Sequence, residues 1–239
     1  MQITTVGLDL AKRIFQVHAV DASGGVVVRK ALRRSQVLPF FTKLPPCLIG
    51  MEACGTAHHW ARELTELGHE VRLMPPSYVK PYVKRGKNDA VDAEAICEAV
   101  TRPTMRFVAM KSAEQQAALS LHRTRNLLVK QRTQLVNMIR GLLAEFGIDI
   151  PQGLERALKL ARQIAAKKST LDVPAMALQI LCILCEQVLN THARLQTIDR
   201  SILAQQRTNE VARRLSTIPG IGPIGATALA ASVADPGQF

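Results

Sequence analysis

Residues 2–31 read Gln2-Ile-Thr-Thr-Val-Gly-Leu-Asp-Leu10, Ala11-Lys-Arg13, Ile14-Phe-Gln-Val-His-Ala-Val20, Asp21-Ala-Ser-Gly-Gly25 and Val26-Val-Val-Arg-Lys-Ala31. Gln2 to Leu10, Ile14 to Val20 and Val26 to Ala31 are β-rich, and Ser23-Gly24-Gly25 supplies a turn able to take positive φ, so the spacing predicts a β-meander. Outward from it, Leu48 to Glu52 is a short apolar run and Ala57 to Leu67 has helical spacing closed by Gly68. Glu70 to Met74 is a further strand before Pro75-Pro76, and Asn88 or Asp89 caps a helix reaching about Val100. The order β-β-β-(α)-β-α-β-α predicts an α/β fold, a mixed sheet covered by helices.

After Pro103 the β signals stop. Ala113 to Phe146 reads as one long helix with Leu121, Leu128, Leu135 and Leu142 at steps of seven, a stripe widened by Met138, Ile139 and Phe146. A polar, Lys-rich stretch covers Pro151 to Pro174, and the pattern returns with Leu181, Val188, Leu195 and Ile202, joined by Leu184 and Ile198. Two such helices form a long-helix, coiled-coil-like region, either folded on each other or shared with another subunit. In the last segment Gly220, Gly222 and Gly225 form a tight turn before an apolar helix, resembling a helix-hairpin-helix; it holds a phosphate on backbone N–H groups or is a plain interhelical turn. The expected division is 1–105, 106–210 and 211–239, the last being the start of a helical C-terminal domain.

With 239 residues, 47% of them hydrophobic, the chain can bury a real core, which excludes a disordered tail protein. The net charge of +12 points to a polyanionic partner, and 4% aromatic residues favour phosphate contacts over base stacking. Residues 1–100 hold 13 basic and 10 acidic side chains and residues 101–239 hold 18 and 9, so the excess lies in the helical part. Lys84, Arg85 and Lys87, and Arg123, Arg125, Lys130, Arg132 and Arg140 on the first long helix, are the candidate nucleic-acid contacts; singly each also reads as a solvated charge.

Five scattered cysteines and an N-terminus without a basic then apolar leader predict a reducing cytosol. The longest apolar stretch, Ala175 to Cys185, is interrupted by Gln179 and falls far short of the ~20 residues of a membrane span, so no membrane role is expected. Cys182-x-x-Cys185 lacks a second CxxC or a His pair and reads as buried rather than zinc-binding. His58-His59 read as structural.

Four carboxylates stand out by placement. Asp9 ends a largely apolar strand, Glu52 ends the run Leu48-Ile-Gly-Met-Glu52, and Asp89 and Asp92 share one face of a first helical turn. Like charges this close need a raised pKa or a cation between them, and four such oxygens suit one or two Mg²⁺ ions, which polarise a phosphate and activate the attacking oxygen. Taken singly, Asp89 also reads as a helix cap, Asp92 as a solvated charge and Glu52 as a surface residue.

Gly7-Leu-Asp-Leu-Ala-Lys12, Met51-Glu-Ala-Cys-Gly-Thr-Ala-His-His-Trp-Ala-Arg62, Val79-Lys-Pro-Tyr-Val-Lys84, Lys87-Asn-Asp-Ala-Val-Asp-Ala-Glu-Ala-Ile96 and Ile218-Pro-Gly-Ile-Gly222 closely resemble the insertion-sequence-110 family of transposases, especially its 1111 subgroup. The resemblance implies an N-terminal RuvC-like (RNase H-like) domain whose DEDD tetrad is Asp9, Glu52, Asp89 and Asp92, a coiled-coil insertion and the start of a C-terminal transposase domain. It implies a recombinase that moves a DNA element in the prokaryotic cytosol, near the nucleoid. A structured non-coding bridge RNA pairs with donor and target DNA, Mg²⁺ sits at the tetrad, and the protein assembles as dimers and tetramers. Family members carry a nucleophilic serine downstream of the Pro-Gly-Ile-Gly turn; Ser232 is too close to that turn to match it, so the expectation is a chain that ends at Phe239 before its nucleophile and does not complete strand exchange by itself. Two other readings are a RuvC-like nuclease that cuts DNA by metal-activated water, and a non-catalytic RNA-binding and dimerisation fragment.

Overall fold

The computed structural model describes residues 2–83, 89–168, 171–233, 235 and 237. Lys84, Arg85, Lys87 and Asn88 lie outside the described residues. Two compact units are present, one running to Ala113 and the other covering Glu114–Val233.

In the first unit, β1 (Thr5–Asp9), β2 (Ile14–Val20), β3 (Val26–Arg33), β4 (Leu48–Glu52) and β5 (Glu70–Met74) form one five-stranded sheet in the order β3-β2-β1-β4-β5. β1 to β3 are the antiparallel meander read from the sequence, and Gly24 turns its second connection at φ +84°. β4 and β5 add parallel to β1, through crossovers that contain α1 (Val37–Phe41) and α2 (Ala57–Glu66). After β5 come α3 (Pro76–Val79) and α4 (Asp89–Ala99). The mixed sheet with helices agrees with an RNase H-like fold.

Alternation along the strands decides what each face carries. Val6 and Leu8 of β1 and Ile49 and Met51 of β4 are buried in a core shared with Phe15, Phe41, Trp60 and Leu64, on the α1 and α2 side. Thr5, Gly7 and Asp9, with Leu48, Gly50 and Glu52, therefore belong to the opposite face, which α4 covers. Gly7 and Gly50 are register partners. A Cβ on Gly7 would lie 2.1 Å from the Ala93 carbonyl oxygen and 2.5 Å from the Cys97 nitrogen, so the α4 backbone rests directly on β1 where only glycine fits. A Cβ on Gly50 would lie 2.7 Å from Cβ of Val100, just past the helix end. The small residues Ala93, Ala95, Cys97 and Ala99 are all buried and permit this approach.

The second unit is helical: α5 (Ala113–Ala144), α6 (Leu154–Ala165), α7 (Ala175–Thr208), α8 (Glu210–Leu215) and α9 (Pro223–Ser232). Val136, Ile139 and Leu143 of α5 share a core with Leu158 and Ile164 of α6 and with Leu181, Cys185 and Val188 of α7, so the two long helices pack on each other within the chain. On α7 the buried line runs through Leu181, Val188, Leu195 and Ile202 as its sequence spacing predicts. On α5 it lies one residue beyond the leucines, through Ala118, His122, Val136, Ile139 and Leu143, while Leu121, Leu128, Leu135 and Leu142 flank it half-buried. Polar residues hold inward positions on this line because partners satisfy them: Arg125 donates from Nε to Asp199 at 2.6 Å, Arg132 meets Nδ1 of His192 at 3.0 Å, and Nε2 of His122 meets the Thr227 hydroxyl at 3.1 Å. Counting leucines finds the helix but not this line.

All five cysteines are unpaired, and Cys185 is fully buried in α7, with the Cys182 thiol 3.5 Å from the Ile164 carbonyl. No helix among the described residues is long and apolar enough to cross a membrane.

Candidate active site

Asp9 and Glu52 end two adjacent parallel strands on the face that α4 covers. The contacts of α4 along β1 set its direction: Ala93 and Cys97 lie over Gly7, and the Cys97 thiol faces the Thr5 carbonyl at 3.9 Å. The helix thus runs antiparallel to β1, its first turn toward Asp9. From Gly7 to Asp9 the strand advances about 7 Å, and from Ala93 back to Asp89 the helix advances about 6 Å. The two pieces reach the same level, and Asp89, Asp92, Asp9 and Glu52 gather at one end of the sheet. Both helical carboxylates lie in the first turn of α4, where the helix dipole favours negative charge.

The electrostatics report this gathering. Burial, then Asp92, Asp89 and Glu52, pushes the Asp9 carboxyl from its ordinary 3.8 up to about 6. Burial, then Asp92, raises Glu52 as well. Asp9 and Glu52 are half-buried, as is Asp92, while Asp89 is exposed. Among the described residues, no three His, Cys, Asp or Glu side chains close into a group able to hold a metal ion. The donors are all hard carboxylate oxygens, which suit Mg²⁺ by chemistry.

Residues 6–148 match a family model described as transposase, of the DEDD insertion-sequence-110 type. The chain belongs to the insertion-sequence-110 family of transposases. It is 51% identical over 240 residues to the "Probable family 20 transposase" of Pseudomonas aeruginosa, covering 100% of this chain and 71% of that protein. It is 38% identical over 240 residues to the "Transposase for insertion sequence element IS1328" of Yersinia enterocolitica, covering 98% of this chain and 69% of the relative. With the "Transposase for insertion sequence element IS1111A" of Coxiella burnetii it shares 38% identity over 237 residues, 99% of this chain and 65% of the relative. The chain thus spans about two thirds of the length of these curated relatives.

The remaining candidate residues of this transposase-family chain fall into three groups. Arg123 and Lys130 are exposed on α5. Arg125, Arg132 and Arg140 are engaged inside the helical unit, the last donating to the carbonyls of Pro151 and Gly153 at 3.5 and 3.2 Å. Gly220, at φ +87°, and Gly222, which caps α9, are both exposed in the turn. His58 accepts a hydrogen bond from the Lys111 backbone N–H at 3.2 Å, and Arg62 donates to the Lys111 carbonyl at 2.7 Å, so α2 secures the segment before α5. Exposed His59 pairs with Glu63 along the helix. The sequence reading missed Gly7 and Gly50 as positioning residues, although both stand two places before a site carboxylate at the end of a strand.

Proposed function

We propose that the chain supplies the acidic half of a DNA transposase active site, in an insertion-sequence enzyme guided by a bridge RNA. The observation that carries this reading is the convergence of Asp9, Glu52, Asp89 and Asp92 at one sheet end, with the Asp9 carboxyl pushed up to about 6 by burial and by the other three. Asp9, Glu52, Asp89 and Asp92 would hold Mg²⁺. When bound, the ion would neutralise charge building on a DNA phosphodiester.

The chain's own work is placement. Gly7 and Gly50 let α4 lie close enough to bring Asp89 and Asp92 to the level of Asp9. Half-burial of Asp9 and Glu52 lowers the local dielectric, which strengthens their attraction for a cation. The nucleophile in this reading is the serine that the family carries downstream of the Ile218 to Gly222 turn. Arg123 and Lys130, with Lys84, Arg85 and Lys87, contact nucleic-acid phosphates, and the Gly220 to Gly222 turn presents backbone N–H groups to one more. Arg125, Arg132 and Arg140 reach nucleic acid only by leaving their present partners. The protein acts in the cytoplasm as a dimer or tetramer on its RNA.

A donor–target plasmid assay with the complete reading frame tests this proposal. Asp92→Asn should lower recombination about 100-fold or more while leaving the circular dichroism spectrum unchanged. Recombination at the unsubstituted level would refute it. Mg²⁺-dependent DNA cutting by residues 1–239 alone, lost in Asp92→Asn, would instead favour the nuclease reading.

A further inference from the structure

The turn between β1 and β2 meets the end of β3 in a shallow groove lined by Lys12, Arg13, Ile14, Arg33, Arg34 and Ser35. Strand pairing builds it: Ile14 is the register partner of Arg33, and the Arg34 N–H donates to the Arg13 carbonyl at 3.3 Å. Four cations and no acid line the groove. Elsewhere in this unit Arg29 pairs with Glu94, Arg72 with Glu70 and Arg102 with Glu98. Among the described residues, the side chains of Lys12, Arg13 and Arg33 have no ion pair, and all three are exposed. The Arg34 guanidinium lies over the Trp60 ring at 5.0 Å, and Trp60 is itself buried edge-on against Phe15 at 5.1 Å, so one cation of the four is held in place from below. Like charges collected on one short strand junction repel one another, and a polyanion relieves that repulsion.

The groove also has a fixed relation to the carboxylates. Lys12 follows Asp9 by three residues, a span of at most about 11 Å, or roughly three nucleotides of rise along one DNA strand. We propose that Lys12, Arg13, Arg33 and Arg34 clamp the phosphate backbone of the DNA strand a few nucleotides from the phosphate offered to Asp9, Glu52, Asp89 and Asp92. This rests on the DNA-transposase reading above. The cations draw a polyanion toward a site whose own charge would repel it, and they fix the strand's register without reading bases.

The test is the salt dependence of duplex DNA binding, followed by the anisotropy of a fluorescein-labelled 30-mer in EDTA, with a single-stranded RNA 30-mer in parallel. The triple variant Lys12→Gln, Arg13→Gln, Arg33→Gln removes three phosphate partners and leaves Arg34 on Trp60; a thermal melt checks its fold. The control Lys30→Gln, Lys43→Gln, Lys159→Gln loses the same charge from elsewhere. The triple variant should flatten the slope of log affinity against log salt by about 3 for DNA, and the control by less than about 1. Equal losses in both variants, no loss in either, or a loss confined to RNA would overturn the clamp. Because EDTA removes divalent cations, a flattened slope alongside failed Mg²⁺ binding would leave the clamp standing and reject the acidic-site reading alone.

Discussion

The two units treat charge in opposite ways. In the helical unit, charges and polar groups on the inward line are each matched: Arg125 with Asp199, Arg132 with His192, His122 with Thr227. At the sheet end of the first unit, Asp9, Glu52, Asp89 and Asp92 are brought together with the same sign, and burial, then the other three carboxylates, raises the Asp9 carboxyl to about 6. Matched groups stabilise and specify packing; a gathering of like charges opposes folding and persists only because Gly7, Gly50 and the small residues of α4 hold it. The contrast separates a part in which polar groups are paired from a part in which like charges are gathered.

The largest effect should come from removing what holds the like charges together. Gly7→Val puts side-chain atoms into the α4 backbone and should cost about 3 kcal/mol or more, unfolding the first unit in a denaturant titration. Gly50→Ala meets only the Val100 side chain, which can rotate, and should cost less. Equal, small losses in both would mean that α4 does not need the glycine surface.

Next in size, the units should respond oppositely to pH. The folded Asp9 carboxyl titrates near 6 and the unfolded one near 3.8, so the folded state binds more protons between those values and stability falls as pH rises through that window. Asp9→Asn should reduce this loss in metal-free protein, leaving the smaller part that the raised Glu52 carboxyl contributes. His122 is pushed below its ordinary 6.5 by burial and then by Arg125, so the unfolded state binds more protons and stability falls as pH drops below about 6.5. His122→Gln should flatten that limb. Melting midpoints from pH 4 to 8, compared between each variant and the unsubstituted chain, check both signs.

The smallest effect is expected from the matched pairs. Arg125→Met should change stability by about 1 kcal/mol or less, since both partners keep partial solvent access. A loss of several kcal/mol would show that the helical unit depends on that pair as much as the sheet depends on Gly7.

Much of this was legible in the sequence. Strands Leu48–Glu52 and Glu70–Met74 were read at their observed bounds, because short apolar runs between turn signals leave few alternatives. The four carboxylates could be singled out because charges at the ends of apolar strands, or paired in a first helical turn, are out of keeping with a bland surface. The α5 packing line could not be read: a partnered Arg125 or Arg132 is as good an inward residue as leucine, and the partners lie sixty to seventy-four residues away in sequence. The close seat of α4 was hidden for a related reason. A glycine in a strand signals close approach, but the backbone that approaches Gly7, near Ala93, comes from beyond four further strands.

Calorimetric titration of the folded chain with Mg²⁺ tests the central claim most directly. Saturable binding should weaken by at least about 10-fold in both Asp9→Asn and Asp92→Asn, a direct oxygen donor being worth no less than the outer groups that orient one, and should be unchanged in Arg125→Met. Binding that is equally weak in the unsubstituted chain and in Asp92→Asn would contradict it, leaving the four carboxylates as neighbours without a common ligand.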